Sequence, residues 1–235
     1  MGRAFEVRKQ SMMKTGAMKS ALYGRASKEI YMAAKNGSAD PLANLALRSA
    51  IDKAKSKQVP AEVISRAIKK ASGSDHEQFI ANRYEGYGPN GSMIIVDSLT
   101  TNVNRAIAEI REAFKKNSGN IATSGAVSYA FQEMSVFGFD SMDVETTLEY
   151  LMEEDVDVLD VVDEEGITMV YGSFVNFNAI KNILDKKVKE YKVAETSMIP
   201  NETITLEGDS KINFEKLTDW LDELEDVQGV FHNVE

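Results

Sequence analysis

The sequence predicts an α+β protein in which an N-terminal three-helix bundle precedes two ferredoxin-like α/β domains, one inserted into the other. Three observations carry that expectation. Residues 1–75 hold 15 Lys+Arg against 6 Asp+Glu and residues 76–235 hold 12 against 31, so a head of +9 adjoins a body of −19. Apolar residues recur at the helical period as far as that boundary. Beyond it strand-like and helix-like segments alternate, and one stretch runs β-α-β-β-α-β, the order of a ferredoxin-like unit.

Residues 1–20 form a basic arm with Arg3, Arg8, Lys9, Lys14 and Lys19 and no clear apolar stripe. Between Ala21 and Lys35, Leu22, Ala26, Ile30 and Ala33 share one side, while Arg25, Lys28 and Lys35 project from the other. Asp40 followed by Pro41 reads as an N-cap and first-turn proline. It opens a second helix, on which Leu47, Ala50, Ile51 and Ala54 align. Pro60 opens a third, turning Val63, Ile64, Ala67, Ile68 and Ala71 inward and Arg66, Lys69 and Lys70 outward. Gly73-Ser74-Asp75 closes a bundle domain of residues 21–75.

Ser92 to Val96 is a short β-like run, Asn102 caps a helix through Asn117, and Ala126 to Phe131 alternates as a second strand. The next series is Val136 to Phe139 (strand), Val144 to Met152 (helix), Val156 to Val162 and Ile167 to Tyr171 (strands), Phe177 to Leu184 (helix) and Val193 to Ile199 (strand). The tail adds a strand at Thr203 to Leu206, a helix at Phe214 to Leu224 and a strand at Val227 to Val234, the pieces that the first β-α-β lacks. The expected division is a discontinuous domain of residues 80–133 and 202–235 with residues 134–201 inserted. One continuous α+β body is the alternative.

The absence of cysteine excludes disulfides, thiolate metal sites and cysteine nucleophiles. No run approaches the roughly 18 apolar residues of a membrane span, and no secretory signal is recognisable, so a cytoplasmic location without a membrane partner is expected. Gly86-Tyr87-Gly88-Pro89-Asn90-Gly91 matches G-x-G-x-x-G, but the glycines precede the strand instead of following one, and Pro89 lacks an amide donor. A turn explains it better. His76 and His232 are the only histidines, and the acidic runs lack a calcium-loop pattern, so no metal, cofactor or small-molecule substrate is expected. Tyr129 and Phe131 read as one core-facing side of a strand. The enzyme alternative is a carboxylate-only hydrolase in the acidic body. The primary expectation is no catalytic residue and a phosphate-contacting head formed by Arg25, Lys28, Lys35, Arg66, Lys69 and Lys70 with the arm. Its partner is nucleic acid, either DNA or structured RNA.

Several strings together resemble the YebC/PmpR family of probable transcriptional regulatory proteins, which includes the mitochondrial translational activator of cytochrome c oxidase. They are Asp40-Pro41 with Asn44, Leu47 to Ala54, Arg66-Ala67-Ile68, Tyr84 to Gly91, Asn102 to Arg105, Gly119-Asn120-Ile121, Ser197 to Pro200 and Val227 to Asn233. The opening Met1-Gly2-Arg3-Ala4-Phe5 is similar to the YeeN-like branch. The resemblance implies a helical bundle with two α/β domains and a non-enzymatic role in gene expression. It implies a DNA-binding transcriptional regulator, or alternatively a ribosome-associated RNA-binding factor that assists translation of proline-containing sequences.

Overall fold

The structure, a computed structural model, describes residues 16–73 and 77–235; Arg3, Arg8, Lys9 and Lys14 lie outside the described residues. Helices α1 (Gly16–Lys35), α2 (Leu45–Ser56) and α3 (Ala61–Ala71) form the bundle. Ile30, Leu47, Ile51, Ile64 and Ala67 close its core. The second helix starts later than its proline suggests. Asp40 caps a turn by accepting from Leu42 N at 2.9 Å, and Asn44 is the true N-cap, accepting from Leu47 N at 3.1 Å. Asn44 prevails because its buried amide also donates to Ala33 O at 2.8 Å and Ser38 O at 2.7 Å, tying the end of α1 to the start of α2.

Two four-stranded antiparallel sheets follow. The first contains β1 (Ile80–Tyr87), β2 (Met93–Thr100), β3 (Asn120–Ile121) and β8 (Val227–His232) in the order β3-β1-β2-β8. Helices α4 (Val103–Lys116) and α7 (Gly208–Glu223) cover one face through Ile94, Val96, Ile110, Phe114, Leu217 and Leu221. The second sheet contains β4 (Phe131–Phe139), β5 (Asp160–Glu164), β6 (Ile167–Ser173) and β7 (Val193–Pro200) in the order β5-β6-β4-β7. With α5 (Val144–Glu153) and α6 (Phe177–Leu184) it makes the β-α-β-β-α-β unit around Phe137, Phe139, Leu151, Val170 and Ile180. Fully burying side chains of this size contributes about 2–3 kcal/mol each. The chain enters the second sheet from the first and returns to it through α7 and β8, so one domain is inserted into the other. Ile95, Val127, Phe131 and Met198 seal the join.

The first domain differs from its expected β-α-β in two places. β1, absent from the sequence reading, pairs with β2 over its whole length. The segment before Phe131 is a turn and a short 3-10 helix, not a strand, which leaves Tyr129 70% exposed while Phe131 is buried. In the tail, Thr203 to Leu206 contributes one isolated bridge, Ile204 to Val234, instead of a strand. The Val156 to Val162 strand begins only at Asp160, because Val156 and Val158 pack from the preceding loop onto the inserted domain's core.

Gly86 to Gly91 is the β1–β2 turn. Asn90 and Gly91 take φ of 52° and 73°, and Gly88 N donates to Ser92 O at 2.8 Å. Gly86 has no room for a Cβ, which would meet Phe114 Cε1 at 2.5 Å and Asn120 O at 2.7 Å.

Candidate nucleic-acid interface

The bundle's cations fall into two rows. The first faces the body. Arg25, placed by α1 away from the bundle core, donates to the Asp222 carboxylate at 3.3 Å and to Asp222 O at 2.6 Å. One turn on, Lys28 Nζ donates to Asp226 Oδ1 at 3.1 Å, Glu225 O at 2.8 Å and Leu99 O at 3.4 Å. From the C-cap and last turn of α2, Lys57 and Lys53 reach Glu195 of β7 at 3.1 and 3.8 Å. In the reverse sense, the buried Lys181 of α6 pairs with Asp52 of α2 at 3.0 Å and with its neighbour Asp185 at 2.9 Å. Arg25 and Lys28 therefore do not project into solvent as the helical wheel implied; their side chains are 19% and 11% exposed.

The second row remains at the surface. Lys19, Lys35, Arg66, Lys69 and Lys70 are all exposed. Arg66 pairs with Glu62 one turn back, and Lys70 reaches Glu77 at 2.8 Å while lying over the Tyr31 ring. These contacts with exposed carboxylates are weak restraints, worth about 0–1 kcal/mol each. Lys55, exposed on α2, was missed; applying the opposite-stripe criterion to the second helix as to the others finds it. Arg48 is also exposed, but its guanidinium is occupied by Pro41 O and Leu42 O at 3.2 and 3.1 Å.

The carboxylates opposite the first row differ in character. Asp226 is buried; desolvation pushes its carboxyl up, but hydrogen bonds from Arg105, Thr100 and Lys28 outweigh it and hold it below the usual range. Arg105 clasps the same carboxylate at 2.7 and 3.1 Å, and its helix is capped by Asn102, so Asp226 joins α4, β8 and the bundle. At Asp222 desolvation wins over the charge and hydrogen bond of Arg25, and its carboxyl is raised. A crevice of about 1580 Å³ runs from the junction of bundle and body on along the body itself, bordered by Arg25, Glu29, Lys53, Asn82, Glu195 and Asp222 among others.

Two polar groups of the body have internal roles. Buried Glu85 accepts from Gly125 N at 2.7 Å, Val127 N at 2.7 Å and Ser128 N at 2.9 Å. Burial pushes its carboxyl up, but these amides prevail and lower it. His232 accepts from Val234 N at 3.3 Å through Nδ1 and meets the Phe214 ring edge-on at 4.9 Å.

Residues 3–74 match the family model described as the TACO1/YebC protein N-terminal domain, and residues 79–234 match the TACO1/YebC second and third domain. A Mesoplasma florum protein named a probable transcriptional regulatory protein is 53% identical over 99% of each chain. One of the same name from Mycoplasma capricolum is 50% identical over 100% of each. The crystal structure of a conserved hypothetical protein from Aquifex aeolicus, 33% identical, superposes with a TM-score of 0.80 over 94% of this chain and 92% of that one. Bundle, hairpin and inserted domain are thus all covered by one set of relatives, and the chain belongs to the TACO1/YebC family.

Proposed function

We propose that this chain is a non-enzymatic, nucleic-acid-binding regulator of gene expression that acts in the cytoplasm. The observation that carries the reading is the cationic face left exposed on α3, Arg66, Lys69 and Lys70, with Lys35 and Lys19 exposed elsewhere on α1. Such a row offers charge to successive phosphates without reading bases, so it supplies affinity and position, not sequence. The names of the relatives, probable transcriptional regulatory proteins, support a regulatory role and favour DNA as the partner. The buried carboxylates Glu85 and Asp226 are occupied by structural donors, which supports a body used for architecture and not for acid–base chemistry. Among the described residues no helix is long and apolar enough to cross a membrane.

Crosslinking in cells, followed by sorting of the attached nucleic acid into DNA, messenger RNA and ribosomal RNA, tests the reading. Enrichment of promoter DNA is expected. Dominance of ribosomal RNA, with cosedimentation on ribosomes, would instead support the translation role, and recovery of no nucleic acid above background would contradict both.

A further inference from the structure

We infer that the side of the bundle now covered by the body is a second, concealed phosphate-binding surface, formed by Arg25, Lys28, Lys53 and Lys57, for which nucleic acid competes by undocking the bundle. The inference rests on the proposed nucleic-acid reading and extends it to residues that the docked structure hides.

The occupants of this surface are oxyanions already. Asp222, Asp226 and Glu195 present carboxylate oxygens at 3.3, 3.1 and 3.1 Å from Arg25, Lys28 and Lys57, the contacts that phosphate oxygens make with the same side chains. A polyanion offers many such oxygens at once and gains by releasing its counterions.

The interface also lacks what would make it permanent. An interdomain contact resists motion when it is large and apolar, whereas this one is held by ion pairs at the mouth of a crevice that continues along the body. Among the described residues, four buried polar atoms bordering that crevice, Arg25 Nε, Asn82 Nδ2, Ser98 Oγ and Gln228 Nε2, have no hydrogen-bond partner. Asn82 and Ser98 face each other across β1 and β2, and Gln228 lies at the bulge where β8 meets Ser98. Asp222 adds to the imbalance, since burial penalises its charge more than Arg25 compensates.

The bundle is built to separate without unfolding. Every buried residue of its apolar cluster lies between Ala26 and Ala71, and the packing from beyond the bundle comes from Phe79, in the segment leading into β1, against Tyr31. Lys181 would give up Asp52 but keep Asp185.

The chain has no cysteine, so fluorophores can be placed at Ala46→Cys on α2 and Glu149→Cys on α5, both exposed positions, in the full-length protein. Saturation with a mixed-sequence duplex DNA or an RNA hairpin is expected to lower energy transfer between them. The variant Asp222→Asn/Glu195→Gln is expected to bind about tenfold more tightly, within the usual range of coupling between a conformational equilibrium and binding. Its plot of log K against log salt on duplex DNA should steepen by about 2. The control Glu223→Gln/Glu145→Gln removes the same charge at exposed sites and should behave as the unaltered protein. Tight binding with unchanged energy transfer, or a release variant no different from the control, overturns the inference while leaving the nucleic-acid reading intact. Binding of neither probe by any variant overturns both.

Discussion

Arg25 and Lys28 on one side of the bundle and Arg66 and Lys69 on another obey the same sequence rule, cations opposite an apolar stripe, yet they have different surroundings. The first pair is half-buried against Asp222 and Asp226; the second is exposed. The rule says only that a charged residue avoids its own helix's core. In a chain with a −19 body, a second domain can stand where solvent was assumed. The charge division of this sequence therefore serves two ends, holding the bundle to the body and leaving a cationic face outside.

The largest effect that separates the rows is expected at Asp226. Replacing it with Ala strands Lys28 and Arg105 without their common carboxylate and should cost about 3 kcal/mol, read from chemical unfolding. Glu85→Ala belongs to the same class, because three buried amides lose their acceptor. Arg25→Ala, partly accessible to water, should cost about 1–2 kcal/mol. Lys69→Ala should change stability by less than about 0.5 kcal/mol and report only in nucleic-acid binding. If Lys69→Ala and Arg25→Ala destabilise equally, the distinction between the rows fails.

Acid provides a subtler separation. Glu85 and Asp226 titrate below their ordinary values in the folded chain, so the stability they contribute is present at neutral pH and is lost as pH falls below about 4. Asp222 is shifted upward and acts with the opposite sign: the folded chain holds its proton more readily, and its charged form costs stability as pH rises past the normal carboxylate range. Thermal unfolding of Asp226→Asn should consequently show a flatter acid limb than the unaltered protein, and Asp222→Asn a steeper fall on acidification, its compensating gain having been removed.

Much of the fold was legible because its signals are local. The helical stripes gave all three bundle helices, and the inserted unit followed from element order, with strands and helices placed to within a few residues except at β4, which begins at Phe131 and not Val136, and at β5. β1 escaped notice because Asn82, Arg83, Glu85 and Gly86 interrupt any apolar alternation; Glu85 is buried only because amides forty residues away satisfy it. The turn before Phe131 was misread for the converse reason, since the brief alternation of Val127, Tyr129 and Phe131 fits a strand as well as a turn. At the candidate site, residue type and helix face were readable, but whether a cation meets water or Asp222 depends on docking between domains. That information is carried by no single helix.

The central claim, that the outward row is what meets phosphates, is tested most directly by the salt dependence of duplex binding in the variant Arg66→Ala/Lys69→Ala/Lys70→Ala. With folding verified by thermal unfolding, the slope of log K against log salt should flatten by about 2 to 3 relative to the unaltered chain, close to 0.9 for each lost phosphate contact. An unchanged slope would contradict the assignment.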